Sequence, residues 1–432
     1  MVVKYYNNKI SDNITQEAKI IFSIFQDQVR LVGGSTRDLL LNLKAKDDDF
    51  ASTLSPLQII KALKLNNIKT IETHQKYGTI TAVINDKNIE ITTLRIDNNQ
   101  KGRACEVNFI DDYSLDASRR DFSVNAIYLD HRGFFYDYFQ GIKDLKNHKI
   151  RFIGDPNLRI KEDYLRILRF FRFSCNYANV FDEDGLKACL ANKLGLRGLS
   201  IERIRKELLL ILSSNNYEKV IEVMKIIKKE KILLQIIDGN LTINLLENFF
   251  TNRQYFGDFI LNLDLKIALI FSDIIQDDIK KFDEFFKKLK ISNRQLNYFV
   301  TIRNFISLFH KDNLIRDFRI LESKEKQIQD IEIILKKLFY YVVFYKKNFL
   351  IDALILFVLI NKFSLNYLPK IISKIDNFRY PTFPLTGDDL MPLNFKGKQI
   401  SIALDIAKKH WFENSFNFSK TQLINYLKNV KI

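Results

Sequence analysis

The sequence predicts an α+β protein in which strands come first and helices fill the rest of the chain. Two alternating segments, residues 79–84 and 88–94, flank Asn85-Asp86-Lys87 and are typical of a β-hairpin. From residue 200 onwards the pattern is almost wholly that of amphipathic helices. The chain has 432 residues, 47% of them hydrophobic, so we expect more than one domain.

The charge balance favours a polyanion such as RNA as partner. Lys and Arg number 67 against 51 Asp and Glu, a formal charge of +16. A general bias of the proteome towards lysine is the alternative explanation. Many of the helical segments in the second half carry Lys on their polar faces, where a solvated surface is the ordinary reading.

Cysteine usage and hydropathy bear on the compartment. Cys105, Cys175 and Cys189 show no CxxC spacing, so neither a disulfide framework nor a zinc site is indicated. We expect a reducing compartment, the cytoplasm. The N-terminus lacks a signal-peptide pattern and no apolar run is long enough to span a bilayer, so we expect no membrane association.

Residues 31–51 organise the chain: an apolar entry, a Gly-Gly turn, a helix over 36–43 and an acidic strand. Gly33 and Gly34 carry no Cβ, so backbone N–H groups can approach a ligand closely. The N-terminal end of the following helix favours an anion, and a phosphate fits it. Arg37, in the first turn, can add a charge-assisted hydrogen bond to that anion.

Asp47, Asp48 and Asp49 follow about ten residues later. On a strand, Asp47 and Asp49 point to the same face and Asp48 to the other. Adjacent carboxylates repel each other unless a cation lies between them. The sequence therefore predicts metal-assisted phosphoryl or nucleotidyl transfer with Mg²⁺ ions ~3.5–4 Å apart, although either half of the pattern alone is also typical of an ordinary loop.

The run GGSTRDLLLNLKAKDDDFA resembles the signature of the class II CCA-adding enzyme and bacterial poly(A) polymerase family, Gly-Gly-x-x-Arg-Asp-x-Leu-Leu followed by Asp-x-Asp. Thr36 stands where an aliphatic residue is usual, and Asn42 where Gly is usual. The resemblance implies a small mixed-sheet nucleotidyltransferase head followed by an all-helical neck, body and tail. We place the catalytic head at 1–140, the base-reading neck at 141–215, and RNA-binding body and tail at 216–300 and 301–432.

Two further segments extend the resemblance. The strand IEITTLR is similar to the family strand that carries a third acidic group, here Glu90; an exposed edge residue is the alternative. RRDFSVNA matches a second signature, which implies that Arg120 contacts the nucleotide while Asp121 and Asn125 brace the site. Asp121 competes with Glu90 for the third acidic role. The polar stretch 97–103, without periodicity, is predicted as a loop and resembles the flexible loop of the family.

A helix predicted over 157–173 carries a polar stripe of Asp163, Arg166, Arg169 and Arg172. On an arbitrary helix such a stripe is an ion-pair ladder. Here EDYLR fits the family's base-reading motif, Glu-Asp-x-x-Arg. A carboxylate accepts from an exocyclic amine and a guanidinium donates to the neighbouring acceptor, so one pair can read both cytosine and adenine. The segment SIERIRKELLLIL resembles the neck motif that steadies this helix.

The resemblance implies addition of C, C and A to the tRNA 3′ end from CTP and ATP. Asp47 and Asp49 would hold two Mg²⁺ ions, helped by Glu90. Gly33, Gly34, Arg37 and Arg120 would hold phosphates and sugar, while the stripe of residues 163–172 selects the base. A bacterial poly(A) polymerase and a non-catalytic RNA-binding protein remain as alternatives. The stretch 67–79 lacks the basic Gly-Arg segment of the poly(A) branch. No stable protein partner is indicated.

Overall fold

The computed structural model describes residues 3–6, 13–45, 48–101, 104–233, 241–256, 262–323, 327–393 and 395–430. The chain divides into two units, Met1–Asp238 with Lys288–Lys290, and Gly239–Lys287 with Ile291–Ile432. The described strands all lie in the first unit, and helices fill the second, so the predicted α+β class is confirmed.

Ten described strands form two sheets. They are β1 (Val3–Tyr6), β2 (Val29–Val32), β3 (Asp49–Ser52), β4 (Lys69–Ile71), β5 (Thr79–Ile84), β6 (Lys87–Thr93), β7 (Arg95–Lys101), β8 (Ala104–Phe109), β9 (Ile127–Leu129) and β10 (Phe134–Asp137). The larger sheet has the order β1-β10-β9-β2-β3-β6-β5-β4, and the smaller one is the β7-β8 ribbon. In the larger sheet β3 and β6 run parallel and the other neighbours antiparallel, as the predicted mixed sheet requires.

Ten α-helices lie in the described part of the first unit. They are α1 (Gln16–Phe25), α2 (Gly34–Leu40), α3 (Pro56–Leu65), α4 (Tyr113–Ser118), α5 (Gly141–Lys146), α6 (Pro156–Glu162), α7 (Leu165–Tyr177), α8 (Glu183–Ala191), α9 (Ile201–Leu212) and α10 (Tyr217–Lys229). Ser55 and Gln58 form a capping box at the start of α3, and Asp155 accepts from the backbone N–H of Leu158 at the start of α6.

The sheet of the first unit is buried on both faces, because its strands alternate between two apolar clusters. Leu31 and Phe50 belong to the cluster that includes α1 and α3. Their chain neighbours Val32 and Ala51 belong to the other cluster, with Tyr113 of α4. The central strands are therefore fixed in register, since a slip of one residue would exchange the two faces.

The second unit is built from helices in its described part. They are α11 (Ile243–Thr251), α12 (Leu263–Ile270), α13 (Ser272–Gln276), α14 (Ile279–Lys288), α15 (Asn293–Lys311), α16 (Leu314–Ser323), α17 (Gln327–Phe344), α18 (Lys347–Ile360), α19 (Leu368–Asn377), α20 (Lys398–Glu413) and α21 (Lys420–Lys428). Every residue from 350 to 359 in α18 is buried, which makes this helix central to the unit. Trp411 is 1% exposed in a smaller apolar cluster. None of the helices described here has the length and apolarity to cross a membrane.

The prediction of a loop over 97–103 was wrong for the described part of that stretch. Residues 95–101 form β7, which pairs antiparallel with β8. Gly102 and Arg103 lie outside the described residues. The ribbon pairs only with itself, so its strands are not required to show the apolar alternation by which a half-buried strand is recognised.

The helix predicted over 36–43 begins at Gly34 and ends at Leu40. Asn42 follows with φ of +57°, in the left-handed region. Asparagine adopts this conformation more readily than most residues, while glycine adopts it without strain. The departure from the family's usual Gly at this position therefore keeps the backbone geometry.

A buried carboxylate lies in the second unit. Asp352 on α18 is 2% exposed, and Tyr298 Oη at 2.7 Å and Asn262 Nδ2 at 3.0 Å donate to its Oδ2 atom. Its Oδ1 atom has no hydrogen-bond partner within the described ranges. Burial raises the pKa of Asp352 from 3.8 to about 6, because the charged form loses solvation that the two donors do not restore.

We predict that Asp352→Asn stabilises the protein at pH 7.5 and has little effect at pH 3.5. Between pH 3.8 and about 6 the folded state binds the proton more tightly than the unfolded state, so stability falls as pH rises through this window. The full cost of the charged form is at most about 3 kcal/mol, and asparagine still offers an oxygen to both donors. Thermal unfolding at the two pH values measures it, and an equal shift at both would contradict the assignment.

Candidate active site

The turn before α2 leaves its backbone open to a ligand. Gly33 has φ of +85°, a conformation that L-residues rarely adopt, and it is the N-terminal cap of α2. A Cβ placed on Gly33 would lie 3.8 Å from Oδ2 of Asp49. The glycine turn and the acidic strand predicted to face each other therefore do so in the structure.

Asp49 begins β3 with its side chain exposed, and Glu90 on β6 is its partner in the parallel register. Glu90 is also exposed, and partners in register on neighbouring strands project to the same face of a sheet. Asp47 lies outside the described residues. Within those residues, no group of three or more His, Cys, Asp or Glu side chains could hold a metal ion. The described strands thus supply two carboxylates, and Asp47 would be the third.

Asp48 points the other way, as strand alternation predicts. It is 4% exposed, and its carboxylate accepts hydrogen bonds from Ser35 Oγ at 3.1 Å and from the hydroxyl of Thr15. Burial raises the pKa of Asp48, and the two hydroxyl donors act against that rise. The hydrogen bonds of Asp48 therefore join the acidic segment to the starts of α1 and α2.

A second carboxylate, Asp121, lies at the centre of the site. It is 8% exposed, and its Oδ1 atom accepts from Asn125 Nδ2 at 2.7 Å. Its Oδ2 atom pairs with Arg169, at 2.7 Å from Nε and 2.6 Å from Nη2. Burial alone would raise the pKa of Asp121, but Arg169 and Asn125 outweigh it and hold the pKa at about 2. The ionised Asp121 carboxylate therefore binds α7 through Arg169.

Arg37 and Arg120 both donate to Asn125, Arg37 to its Oδ1 atom and Arg120 to its backbone carbonyl. Arg37 is 7% exposed and donates to the carbonyl of Gly33 at 3.2 Å and to Oδ1 of Asn125. Arg120 pairs with Asp116 at 3.3 Å and donates to Tyr128 Oη at 3.2 Å. A continuous polar chain therefore runs from Arg37 through Asn125 and Asp121 to Arg169.

The continuous helix predicted over 157–173 was wrong. The structure has α6 and α7, separated by Asp163 and Tyr164, and Asp163 is extended with φ of −153°. Tertiary contacts set this break. Oδ2 of Asp163 pairs with Arg203 of α9 at 2.6 Å, its Oδ1 accepts from Leu165 N at 3.2 Å, and the Tyr164 ring fills the space where a Cβ on Gly195 would lie.

Past the break, the predicted arginines differ in their surroundings. Arg166 is 6% exposed, forms an ion pair with Glu162 and donates to the carbonyl of Arg159 at 2.6 Å. Arg172 pairs with Glu207 of α9, its Nε atom lying 2.9 Å from Oε2. The partners on α9 explain why the segment that resembles the neck motif is required beside this helix.

These residues line one cavity of about 400 Å³ in the first unit: Gly33, Gly34, Arg37, Asp49, Arg120, Asp121, Asn125, Asp163, Arg166, Arg169 and Phe173. Most of the predicted site residues are among them. Glu90 stands beside Asp49 without lining the cavity, and Arg172 is likewise not part of the lining. The sequence analysis missed Phe173, although its spacing of four residues from Arg169 places both on one helix face.

Comparison with known proteins supports the resemblance. A family model described as Poly A polymerase head domain matches residues 29–151. The chain is 30% identical over 439 residues to human CCA tRNA nucleotidyltransferase 1, mitochondrial, covering 99% of this chain and 93% of the human one. The CCA-adding enzyme of Staphylococcus epidermidis is 35% identical over 51% of this chain and 55% of its own.

Two solved structures share the fold. The Bacillus stearothermophilus CCA-adding enzyme in complex with CTP has a TM-score of 0.69 at 20% identity, covering 95% of this chain and 96% of that one. The Thermotoga maritima CCA-adding enzyme complexed with tRNA-CCA has a TM-score of 0.64 at 18% identity and covers 100% of both chains. At these identities the likeness is evidence for the fold alone.

We predict that Asp48→Leu lowers the free energy of unfolding by about 2–4 kcal/mol, because it leaves the buried hydroxyls of Thr15 and Ser35 without their acceptor. Asp48→Asn, which keeps an acceptor oxygen, should cost less than half as much. Asp49→Leu, at the exposed neighbouring position, is the matched control and should change stability by about 0.5 kcal/mol or less. Chemical denaturation measures the free energy of unfolding of all three variants. Equal losses at positions 48 and 49 would contradict the structural role of the Asp48 hydrogen bonds.

Proposed function

The chain belongs to the CCA tRNA nucleotidyltransferase family, and from this premise we infer how its own residues perform the reaction. It adds C, C and A to the 3′ end of tRNA from CTP and ATP, with release of pyrophosphate. The observation that carries the residue assignments is the cavity in which the glycine turn, Asp49 and the arginines of α7 meet.

Nucleotidyl transfer in this family depends on metal ions, and we propose Mg²⁺ held by Asp47 and Asp49 with Glu90 as the supporting carboxylate. The donor set fits, because carboxylate oxygens are the ligands that Mg²⁺ prefers. Asp49 and Glu90 are exposed side by side, whereas Asp121 is occupied by Arg169 and Asn125. When bound, the metal would activate the RNA 3′-hydroxyl and neutralise the triphosphate.

The glycine turn and two arginines would hold the triphosphate and sugar. Gly33 and Gly34 line the cavity and carry no Cβ that would keep a ligand away from their backbone. Arg37 is anchored by Gly33 and Asn125, and Arg120 by Asp116, so both guanidinium groups are oriented before the nucleotide arrives. Such preorganisation reduces the entropy lost on binding.

Asp163 and Arg166 would read the base. Cytosine and adenine each present an amino group beside an acceptor, which suits a carboxylate next to a guanidinium, while a keto group would face the carboxylate and be rejected. Arg203 and Glu162 orient these two side chains in the structure. Arg169 would complete the base site. Arg172 would support it through Glu207, which also lies 3.8 Å from Arg169.

The division into head 1–140, neck 141–215, body 216–300 and tail 301–432 is our proposal for how these roles are distributed. Lysine-bearing helices of the body and tail would contact the tRNA backbone, in keeping with the net charge of +16. We propose the cytoplasm as its location; the human and mouse relatives are named as mitochondrial proteins. A poly(A) polymerase and a non-catalytic RNA-binding protein are less consistent with the relatives that span the chain.

The direct test is incubation with tRNA lacking CCA, Mg²⁺ and each nucleoside triphosphate singly and in pairs, followed by sequencing of the 3′ ends. We expect addition of C residues from CTP alone, the complete CCA end from CTP with ATP, and no extension from UTP or GTP. Long A tracts from ATP alone would contradict the assignment and indicate a poly(A) polymerase. An unextended tRNA under all conditions would indicate a protein that only binds RNA.

In the same assay, Asp163→Ala should lose selectivity while still releasing pyrophosphate. Losing a hydrogen bond to a charged partner costs roughly 1.5–3 kcal/mol, or about ten- to hundredfold in discrimination against UTP and GTP. Arg203→Met is the comparison variant, because it removes the ion pair that orients the carboxylate but keeps the carboxylate itself, and it should lose less selectivity than Asp163→Ala. If Asp163→Ala is as selective as the wild type, the base is read elsewhere.

A further inference from the structure

Three arginines surround one aromatic ring at the wall of the cavity. The guanidinium carbons of Arg172, Arg37 and Arg169 lie 4.4, 5.0 and 5.3 Å from the centroid of the Phe173 ring. Phe173 is 6% exposed and lines the cavity. Arg37 also lies 4.9 Å from the centroid of the Tyr177 ring, one turn further along α7. Cation–π attraction is strongest at such desolvated rings.

This ring connects two parts of the site that come from distant parts of the sequence. Arg37 belongs to α2, which we assign to the triphosphate, and Arg169 belongs to α7, which we assign to the base. On their other side the same two arginines are joined through Asn125 and Asp121. The helices α2 and α7 are therefore joined by two separate sets of contacts, one through Asn125 and Asp121 and the other through the Phe173 ring.

A ring face holds an arginine in a way that no carboxylate can. A guanidinium that lies over an aromatic ring keeps its in-plane N–H groups available to an anion, whereas an ion pair consumes them. An aromatic support also adds no negative charge beside the path of a triphosphate. Both properties apply to Arg37, whereas Arg169 also uses its Nε and Nη2 atoms to bind Asp121.

We propose that Phe173 is a positioning residue that sets Arg37 and Arg169 for the incoming nucleotide, so that affinity for CTP and ATP depends on its ring. The inference rests on the proposed function of this cavity and adds a determinant of nucleotide affinity to it. Phe173 acts through the arginines and takes no part in the chemical step.

Ordinary core packing is the competing explanation, since the Phe173 ring also lies 5.3 Å from the Phe122 ring. Phe171, two residues earlier on α7, distinguishes the two explanations. It is 0% exposed and packs on the rings of Phe170 and Phe181, and no guanidinium lies over it within the described residues. Phe171→Leu therefore removes the same aromatic volume from the same helix without removing an arginine support.

The experiment compares wild type, Phe173→Leu, Phe173→Tyr and Phe171→Leu. Calorimetric titration with CTP gives Kd, single-nucleotide addition to tRNA gives KM and kcat, and thermal melting gives stability. We expect Phe173→Leu to raise Kd and KM for CTP and ATP roughly tenfold, with a much smaller change in kcat. Phe173→Tyr should restore the wild-type values, and Phe171→Leu should lower the melting temperature while leaving Kd and KM near those of the wild type.

Equal effects of Phe173→Leu and Phe171→Leu on Kd and KM would overturn the inference and leave packing as the role of the ring. The calorimetric arm separates this inference from the proposed function. A wild type that binds CTP without extending tRNA would overturn the proposed reaction. A higher Kd for CTP in Phe173→Leu than in the wild type would still support the inference. A wild type that neither binds CTP nor extends tRNA would overturn both.

Discussion

The site depends on one buried carboxylate. Asp121 accepts hydrogen bonds from its own turn through Asn125 and forms a two-point ion pair with Arg169 of α7. It therefore joins the turn of Asn125, which binds Arg37, to the helix that carries Arg166, Arg169 and Arg172. Removing one partner of a buried pair leaves the other uncompensated, at a cost of about 3–5 kcal/mol. This interaction sets how the turn of Asn125 and α7 lie relative to each other.

Burial on both faces of the sheet explains why Asp48 is hydrogen-bonded in the interior while Asp49 is exposed at the start of its strand. The central strands alternate between two apolar clusters, so a polar side chain there must either bond internally or lie at a strand end. Asp48 bonds internally with Thr15 and Ser35, while Asp49 stands exposed at the first residue of β3 beside Glu90. Alternation alone thus places one carboxylate in the interior and its neighbour on the exposed side at the start of β3.

Local signals made most of this predictable. The glycine turn and the hairpin with its Asn85-Asp86 bend are encoded by neighbouring residues, and both were found where predicted. The break at Asp163 was not predictable, because Arg203 and Gly195, both distant in sequence, produce it. The β7 strand, RIDNNQK, lacked the apolar alternation that reveals a strand. Phe173 was missed because an aromatic residue at helical spacing reads as core until the arginines around it are located.

The most direct test of Asp121 as the joint of the site, rather than a metal ligand, is a Mg²⁺ titration of nucleotide addition by Asp121→Asn and Glu90→Gln. We expect Asp121→Asn to raise KM for CTP and ATP while the half-saturating Mg²⁺ concentration stays that of the wild type. Glu90→Gln should do the reverse, raising the Mg²⁺ requirement with little change in nucleotide KM. A raised Mg²⁺ requirement in Asp121→Asn with unchanged nucleotide KM would contradict this account.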